Sequence, residues 1–155
     1  MISSRRTALK AASAGSVYAA LLTLGVLKPG TAKAASVAEA FNAKGTVAGL
    51  KALGAEDATV SDKITLKAPD IAENGAVVPV GVSSSLDNVE MVAVLVDKNP
   101  VALTGAYDIP AGTPADITMR VKMGQSSDVI ALVKADGKFY MAKKEIKVTL
   151  GGCGG

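Results

Sequence analysis

The 155-residue sequence has no histidine and no tryptophan, a single cysteine, Cys153, and only 3% aromatic residues. Each shortage removes a class of function. Without histidine there is no Ser-His-Asp or Cys-His nucleophilic arrangement, no imidazole base and no His-containing zinc or iron site. One cysteine cannot close an intramolecular disulfide or supply a Cys-only metal site. Any chemistry must use carboxylates, lysines, hydroxyls or one thiol, and the sequence predicts neither a resident metal nor a cofactor. A carboxylate pair suited to acid-base work is not evident either. Glu56-Asp57 and Asp87 with Glu90 fall at expected loop or strand-edge positions, where solvated carboxylates are ordinary.

Charge is unevenly distributed. The chain carries 17 Lys and Arg against 14 Asp and Glu, a formal charge of +3. Yet residues 1–34 contain Arg5, Arg6, Lys10, Lys28 and Lys33 and no acidic residue. An apolar, small-residue stretch from Ala11 to Leu27 follows the arginines, and Ala32-Lys33-Ala34 ends it as a small-residue cleavage site. This is the layout of an export signal with cleavage after Ala34. The pattern Ser4-Arg5-Arg6-Thr7-Ala8-Leu9-Lys10 is similar to a twin-arginine signal, with Ala8 where that pattern has Phe. The apolar stretch is short and interrupted for a membrane span, and no cysteine stands at the cleavage site for lipidation. Removing 1–34 leaves 12 of the basic side chains against all 14 acidic ones, a charge near −2. The excess of positive charge belongs to the leader, so a nucleic-acid or membrane partner is not expected of the mature chain, and a periplasmic location is.

Residues 35–150 are expected to form a helical lead-in followed by a small all-β domain. Ser36-Val37-Ala38-Glu39 matches a capping box opening a helix, with Val37, Ala40 and Phe41 on one face. Gly45 and Gly49 weaken the pattern, which predicts one broken helix or two short ones. From Asp62 the apolar period becomes two: Ile64, Leu66 and Ala68; then Ile117, Met119, Val121 and Met123; then Ile146, Val148 and Leu150. Met91–Val96 and Val129–Val133 are apolar on both faces, as central strands require. Val77–Val82 is strand-like, but Pro79 lacks a donor and predicts an edge or bulge. Asp136-Gly137 predicts a two-residue hairpin turn. Seven or eight short strands separated by turn signals predict an immunoglobulin-like β-sandwich. Met91, Met119, Met123 and Met141 fall within these strand patterns and are read as packing, not copper ligands.

The chain closes on Gly151-Gly152-Cys153-Gly154-Gly155, which gathers four of its 16 glycines around its only thiol. Glycine has no Cβ, so this backbone is thin and conformationally free, able to enter a narrow channel. Residues 151–155 are therefore expected to be a short flexible arm on a rigid body, with Cys153 roughly 10 Å beyond Leu150 when extended. A thiolate is a soft nucleophile whose adducts with other sulfur atoms form and break reversibly. No cation lies within two residues of Cys153, so activation is expected from the active site the arm enters. Lys143, Lys144 and Lys147 precede the arm and suggest a positive collar for anionic adducts or acidic partners. A charged strand face that discourages edge pairing explains them as well.

This ending, preceded by Val148-Thr149-Leu150, resembles the SoxY family, the sulfur-carrier subunits of periplasmic thiosulfate oxidation. The leader, the Ala-rich lead-in, Ala68-Pro69-Asp70-Ile71-Ala72-Glu73-Asn74-Gly75 and Val78-Pro79-Val80 are similar to that family as well. The resemblance implies a non-catalytic carrier that holds thiosulfate-derived intermediates on Cys153, with Gly151, Gly152, Gly154 and Gly155 as arm. It implies a heterodimer with a SoxZ-like subunit. It also implies visits to a c-type cytochrome conjugating enzyme, a sulfate-releasing hydrolase and a sulfane dehydrogenase. From the residues alone, an exported sandwich module using Cys153 for an intermolecular disulfide stays open beside it.

Overall fold

The computed structural model describes residues 31–149, with side chains from Ser36 onward. The chain divides into two units, Met1–Ala34 and Ala35–Gly155. Within the described residues two helices, α1 (Thr31–Ala40) and α2 (Gly45–Leu53), precede nine strands. These are β1 (Thr59–Val60), β2 (Ile64–Lys67), β3 (Ile71–Ala72), β4 (Val78–Ser84), β5 (Val89–Val96), β6 (Leu103–Asp108), β7 (Asp116–Val121), β8 (Ser127–Ala135) and β9 (Lys138–Val148). β1 and β3 have two residues each, so seven longer strands carry the sandwich. None of the described helices is long and apolar enough to cross a membrane.

The strands form two sheets, as an immunoglobulin-like sandwich requires. The larger runs β1-β9-β8-β5-β6, with β3 also paired to β9, and the smaller runs β2-β4-β7. The doubly apolar segments occupy the centre of the larger sheet. Val92, Val94, Val96, Val129, Ala131 and Val133 pack toward the smaller sheet, with Val78, Val80, Val82, Val121 and Ile146. From the opposite face, Met91, Ala93, Leu95, Ile130 and Leu132 pack with Ala40, Leu53 and Ala55 from the helical region. Both faces of β5 and β8 are thus dry, and each fully buried Leu or Ile contributes about 1.5–3 kcal/mol by transfer from water. The alternating strands behave as their period predicts. In β2 only Ile64 is fully buried, and in β7 the polar residues Thr118 and Arg120 face solvent while Val121 is buried.

Three local expectations are corrected. Ser36 does not cap a helix: α1 runs through it and ends at Ala40, because the Ala-rich segment before Ser36 favours helix and nothing there stops it. Ala40 is fully buried and Val37 packs beside it, but Phe41 lies past the helix end and is exposed. The lead-in forms two short helices, one of the expected outcomes, and Gly49 lies buried inside α2, against Leu95 of β5. The stop comes at Gly54, in the left-handed region with φ 69°, where the amides of Gly54 and Ala55 close on Lys51 and Leu50.

The third correction concerns Pro79. β4 is the middle strand of its sheet, paired with both β2 and β7. The amide of Ser84 bonds to Ala115 and that of Ser85 to Lys63. Even-numbered amides of β4 therefore point to β7 and odd-numbered ones, including the position of Pro79, to β2. The β2 ladder ends at Lys67 opposite Gly81. In the same register, the next hydrogen-bonded pair would set Pro69 against Pro79, and neither has an amide to donate. Pro79 is tolerated in a central strand because its partner strand stops there.

Candidate functional site

The candidate site lies at the C-terminal end of β9, from which the chain continues toward Cys153. Cys153 and its flanking Gly151, Gly152, Gly154 and Gly155 lie outside the described residues, as do Arg5 and Arg6 of the leader. The described structure ends at Thr149, and it holds the chain up to that residue on one edge and up to Val148 on the other.

On one edge β3 runs parallel to β9, pairing Ile71 with Lys147 and Ala72 with Val148. The Lys147 amide donates to the Asp70 carbonyl at 2.9 Å, and the Thr149 amide to that of Ala72 at 3.1 Å. On the other edge the antiparallel ladder with β8 reaches its last pair at Ser127 and Ile146. Beyond it, a side chain substitutes for backbone. The Val148 amide donates to the Ser126 hydroxyl at 2.9 Å, and that hydroxyl lies 3.5 Å from the Val148 carbonyl, to which it donates.

The surrounding loops are equally tied. The Met123 amide donates to the Gly75 carbonyl at 2.7 Å. A Cβ on Gly75 would stand 2.5 Å from the Met123 carbonyl oxygen and 2.8 Å from Val148 Cγ1, so only glycine fits. Asn99 spans the next gap, its amide nitrogen donating to the Lys122 carbonyl at 2.8 Å while its oxygen accepts from the Gly124 amide at 3.4 Å. The Lys98 amide donates to Ser127 Oγ at 2.9 Å. Lys98 and Asn99 thus tie the β5–β6 loop to the β7–β8 loop. Ile71 and Val77 remain exposed at this end.

The three lysines near the chain end do not share one surface. Lys144 lies on the same side of β9 as buried Ile146, where its ammonium pairs with Asp70 at 3.0 Å and donates to the Ala68 carbonyl. Asp70 is largely exposed, so the pair contributes little stability but fixes where the side chain points. Lys143 and Lys147 lie on the opposite side, exposed, with Glu145 between them. Of the carboxylates, Glu90 is bound into the β8–β9 hairpin, pairing with Lys134 at 3.3 Å and accepting from the Gly137 amide at 2.7 Å. Among the described residues no group of three His, Cys, Asp or Glu side chains could hold a metal ion. Met91 and Met123 are buried, and Met119 and Met141 pack against the two cores.

Ser126 was not singled out from sequence, and Gly75 and the residues of β3 were noted only within the family-like segment Ala68–Gly75, not as a hold on β9. The Ser126-Ser127 pair just before an apolar strand was the available signal for the first, since serine often satisfies backbone groups at strand and turn boundaries.

The arrangement defines an immunoglobulin-like sandwich whose last strand is held at both edges as far as Val148. The family model described as sulfur oxidation protein SoxY matches residues 50–153, more than half of the chain, and the match ends on Cys153. The chain belongs to the SoxY family. No curated protein sequence matches it. Among solved structures it is similar to the sulfur carrier protein SoxY from Chlorobium limicola f thiosulfatophilum, with 32% identity and a TM-score of 0.56. That match covers 64% of this chain and 93% of the other. A superoxide reductase (neelaredoxin) from Ignicoccus hospitalis shares the fold alone, at 21% identity and TM-score 0.50, covering 56% of this chain and 80% of its own.

Proposed function

We propose that the chain is a sulfur-oxidation carrier that binds thiosulfate-derived intermediates covalently through Cys153 and presents them to partner enzymes. The observation that carries this reading is the family match, which runs to Cys153 and stops there. The geometry of β9 supports it. Among the described residues Thr149 is the last one held by the sheet, and four residues of extended chain reach about 13 Å from it. A thiol on such a tether can enter a recessed active site while the sandwich body stays outside.

In the loading step the Cys153 thiolate and the sulfane sulfur of thiosulfate form an S–S bond, and two electrons pass to a c-type cytochrome enzyme. A hydrolase then adds water across the bond between the sulfane sulfur and the sulfonate, releasing sulfate and two protons and leaving a persulfide on Cys153. A sulfane dehydrogenase oxidises that remaining sulfur and takes up the electrons, with water supplying the oxygen and releasing protons. The carrier supplies one nucleophilic atom and no acid or base, consistent with the absence of histidine from the sequence. A SoxZ-like subunit completes the carrier as a heterodimer, and the leader with Arg5 and Arg6 directs it to the periplasm. Exposed Lys143 and Lys147 give the anionic adduct and acidic partner surfaces a positive approach, whereas Lys144 is engaged by Asp70.

Intact-mass measurement on protein purified from cells oxidising thiosulfate tests the reading. Sulfur-containing adducts that map to Cys153 and vanish in Cys153→Ser are expected. Unmodified protein together with full thiosulfate oxidation by the Ser variant overturns it. A stoichiometric covalent dimer on a non-reducing gel would point to the disulfide-linked module instead.

A further inference from the structure

We infer that Ser126 is a positioning residue for the carrier thiol: its hydroxyl extends the sheet by one residue pair and so sets the point from which the chain departs toward Cys153. The inference rests on the carrier reading for its functional consequence, but its structural half stands on contacts of its own.

An antiparallel ladder holds a strand by backbone groups from both neighbours. For β9 the backbone partner on the β8 side runs out at Ser127, opposite Ile146. The next hydrogen-bonded residue on that edge is Val148, whose amide and carbonyl would face water or an empty loop. Ser126 Oγ meets both, at 2.9 and 3.5 Å, so one hydroxyl does the work of an amide and a carbonyl. β3 holds the alternate amides of Lys147 and Thr149. Without the hydroxyl, Val148 keeps β3 on one side only, and the last fully paired residue on the β8 side retreats to Ile146.

Retreat by two residues on that edge leaves about 7 Å of chain held by β3 alone. It also replaces a defined starting direction by an ensemble. A tether that must place one sulfur within bonding distance in several different enzymes loses effective concentration when its origin is blurred. The glycines downstream have no side chains with which to restore direction, so orientation has to be imposed upstream, at Val148.

The test uses the full mature chain as Ser126→Ala and Ser126→Thr beside the parent. Ser126 is half-buried in a loop, and its hydroxyl is the only group removed in the alanine variant. Hydrogen exchange of the Val148 amide should speed up about fivefold to tenfold in S126A, the population change expected from losing one hydrogen bond, with the exchange of Leu132 in the core unchanged. Alkylation of Cys153 by iodoacetamide should proceed at the parent rate, because the thiol itself is untouched. Enzymatic loading of thiosulfate onto Cys153 should fall about tenfold in kcat/KM, the scale of a misplaced reacting group. S126T, which keeps the hydroxyl, should recover both exchange and loading. Unchanged Val148 exchange in S126A overturns the clamp. Faster exchange with parent-like loading overturns its positioning role, and so does a loading loss that S126T does not repair. Failure of the parent to load at all overturns the carrier reading and the positioning role with it, leaving the exchange result to report on the clamp.

Discussion

The two ends of β9 are both pinned by side chains, and they are pinned for different purposes. At the Lys138 end the chain reverses through Asp136 and Gly137, whose φ values of 49° and 74° define a two-residue turn of the kind that matches strand twist. The turn is closed by contacts close to it in the fold: Asn88 donates to the Asp136 carboxylate at 2.9 Å, and Glu90 accepts from the Gly137 amide. At the Val148 end the holders come from three separate segments, through Ala72, Gly75 and Ser126. The hairpin end carries its own two-residue turn and takes side chains from one neighbouring segment, Asn88 and Glu90, whereas the other end of β9 depends on three segments at once.

That difference can be broken deliberately. Replacing Cys153 by Ser should abolish sulfur adducts and thiosulfate-dependent turnover entirely while leaving the thermal midpoint unchanged, which intact mass and a melting curve check together. Inserting an Ala pair between Leu150 and Gly151 should impair enzymatic loading strongly without lowering stability, because it displaces the thiol from a base that stays folded. Loading kinetics set against a thermal melt separate the two effects. Gly75→Ala should cost about 1–3 kcal/mol, the usual penalty for overpacking, since the added methyl meets a backbone carbonyl that cannot move aside. Denaturant unfolding gives the number. Gly137→Ala, at the hairpin end, should cost about 1 kcal/mol for a left-handed residue with a Cβ and leave loading untouched. Removing the charges of Lys143 and Lys147 together should weaken the salt dependence of loading by a small amount and leave the fold unaffected, as expected of exposed charges.

The large sheet was legible because its signals are contiguous. Met91–Val96 and Val129–Val133 announce dry strands by composition alone, and Asp136-Gly137 announces its turn. β1 and β3 were not legible. Two residues cannot display a period, and both pair in parallel with β9, a partner more than 70 residues away. Pro79 misled for a physical reason. A missing amide excludes a strand only where a neighbour needs that amide, and the neighbour's own extent is not a local property of the sequence. At the site, the Gly-Cys-Gly ending was conspicuous from sequence, but its base was not. Ser126 is one serine among several, and Gly75 reads as turn glycine until Met123 and Val148 are seen against it. The lysine collar was legible as charge and not as geometry, since alternation along β9 sends Lys144 to one side and Lys143 and Lys147 to the other.

The opposed prolines have a consequence beyond ending a ladder. Because Pro69 and Pro79 cannot bond to one another, the chain leaving β2 is expelled from the smaller sheet after Lys67. Two residues past Pro69 it is already paired with β9 in the larger one, as β3. One edge of the hold on Val148 and Thr149 therefore exists because two imino acids refuse each other. If either residue regained an amide, the smaller sheet could recruit the segment that the terminus needs, so the departure point of the cysteine-bearing tail is protected by an incompatibility between strands in the other sheet.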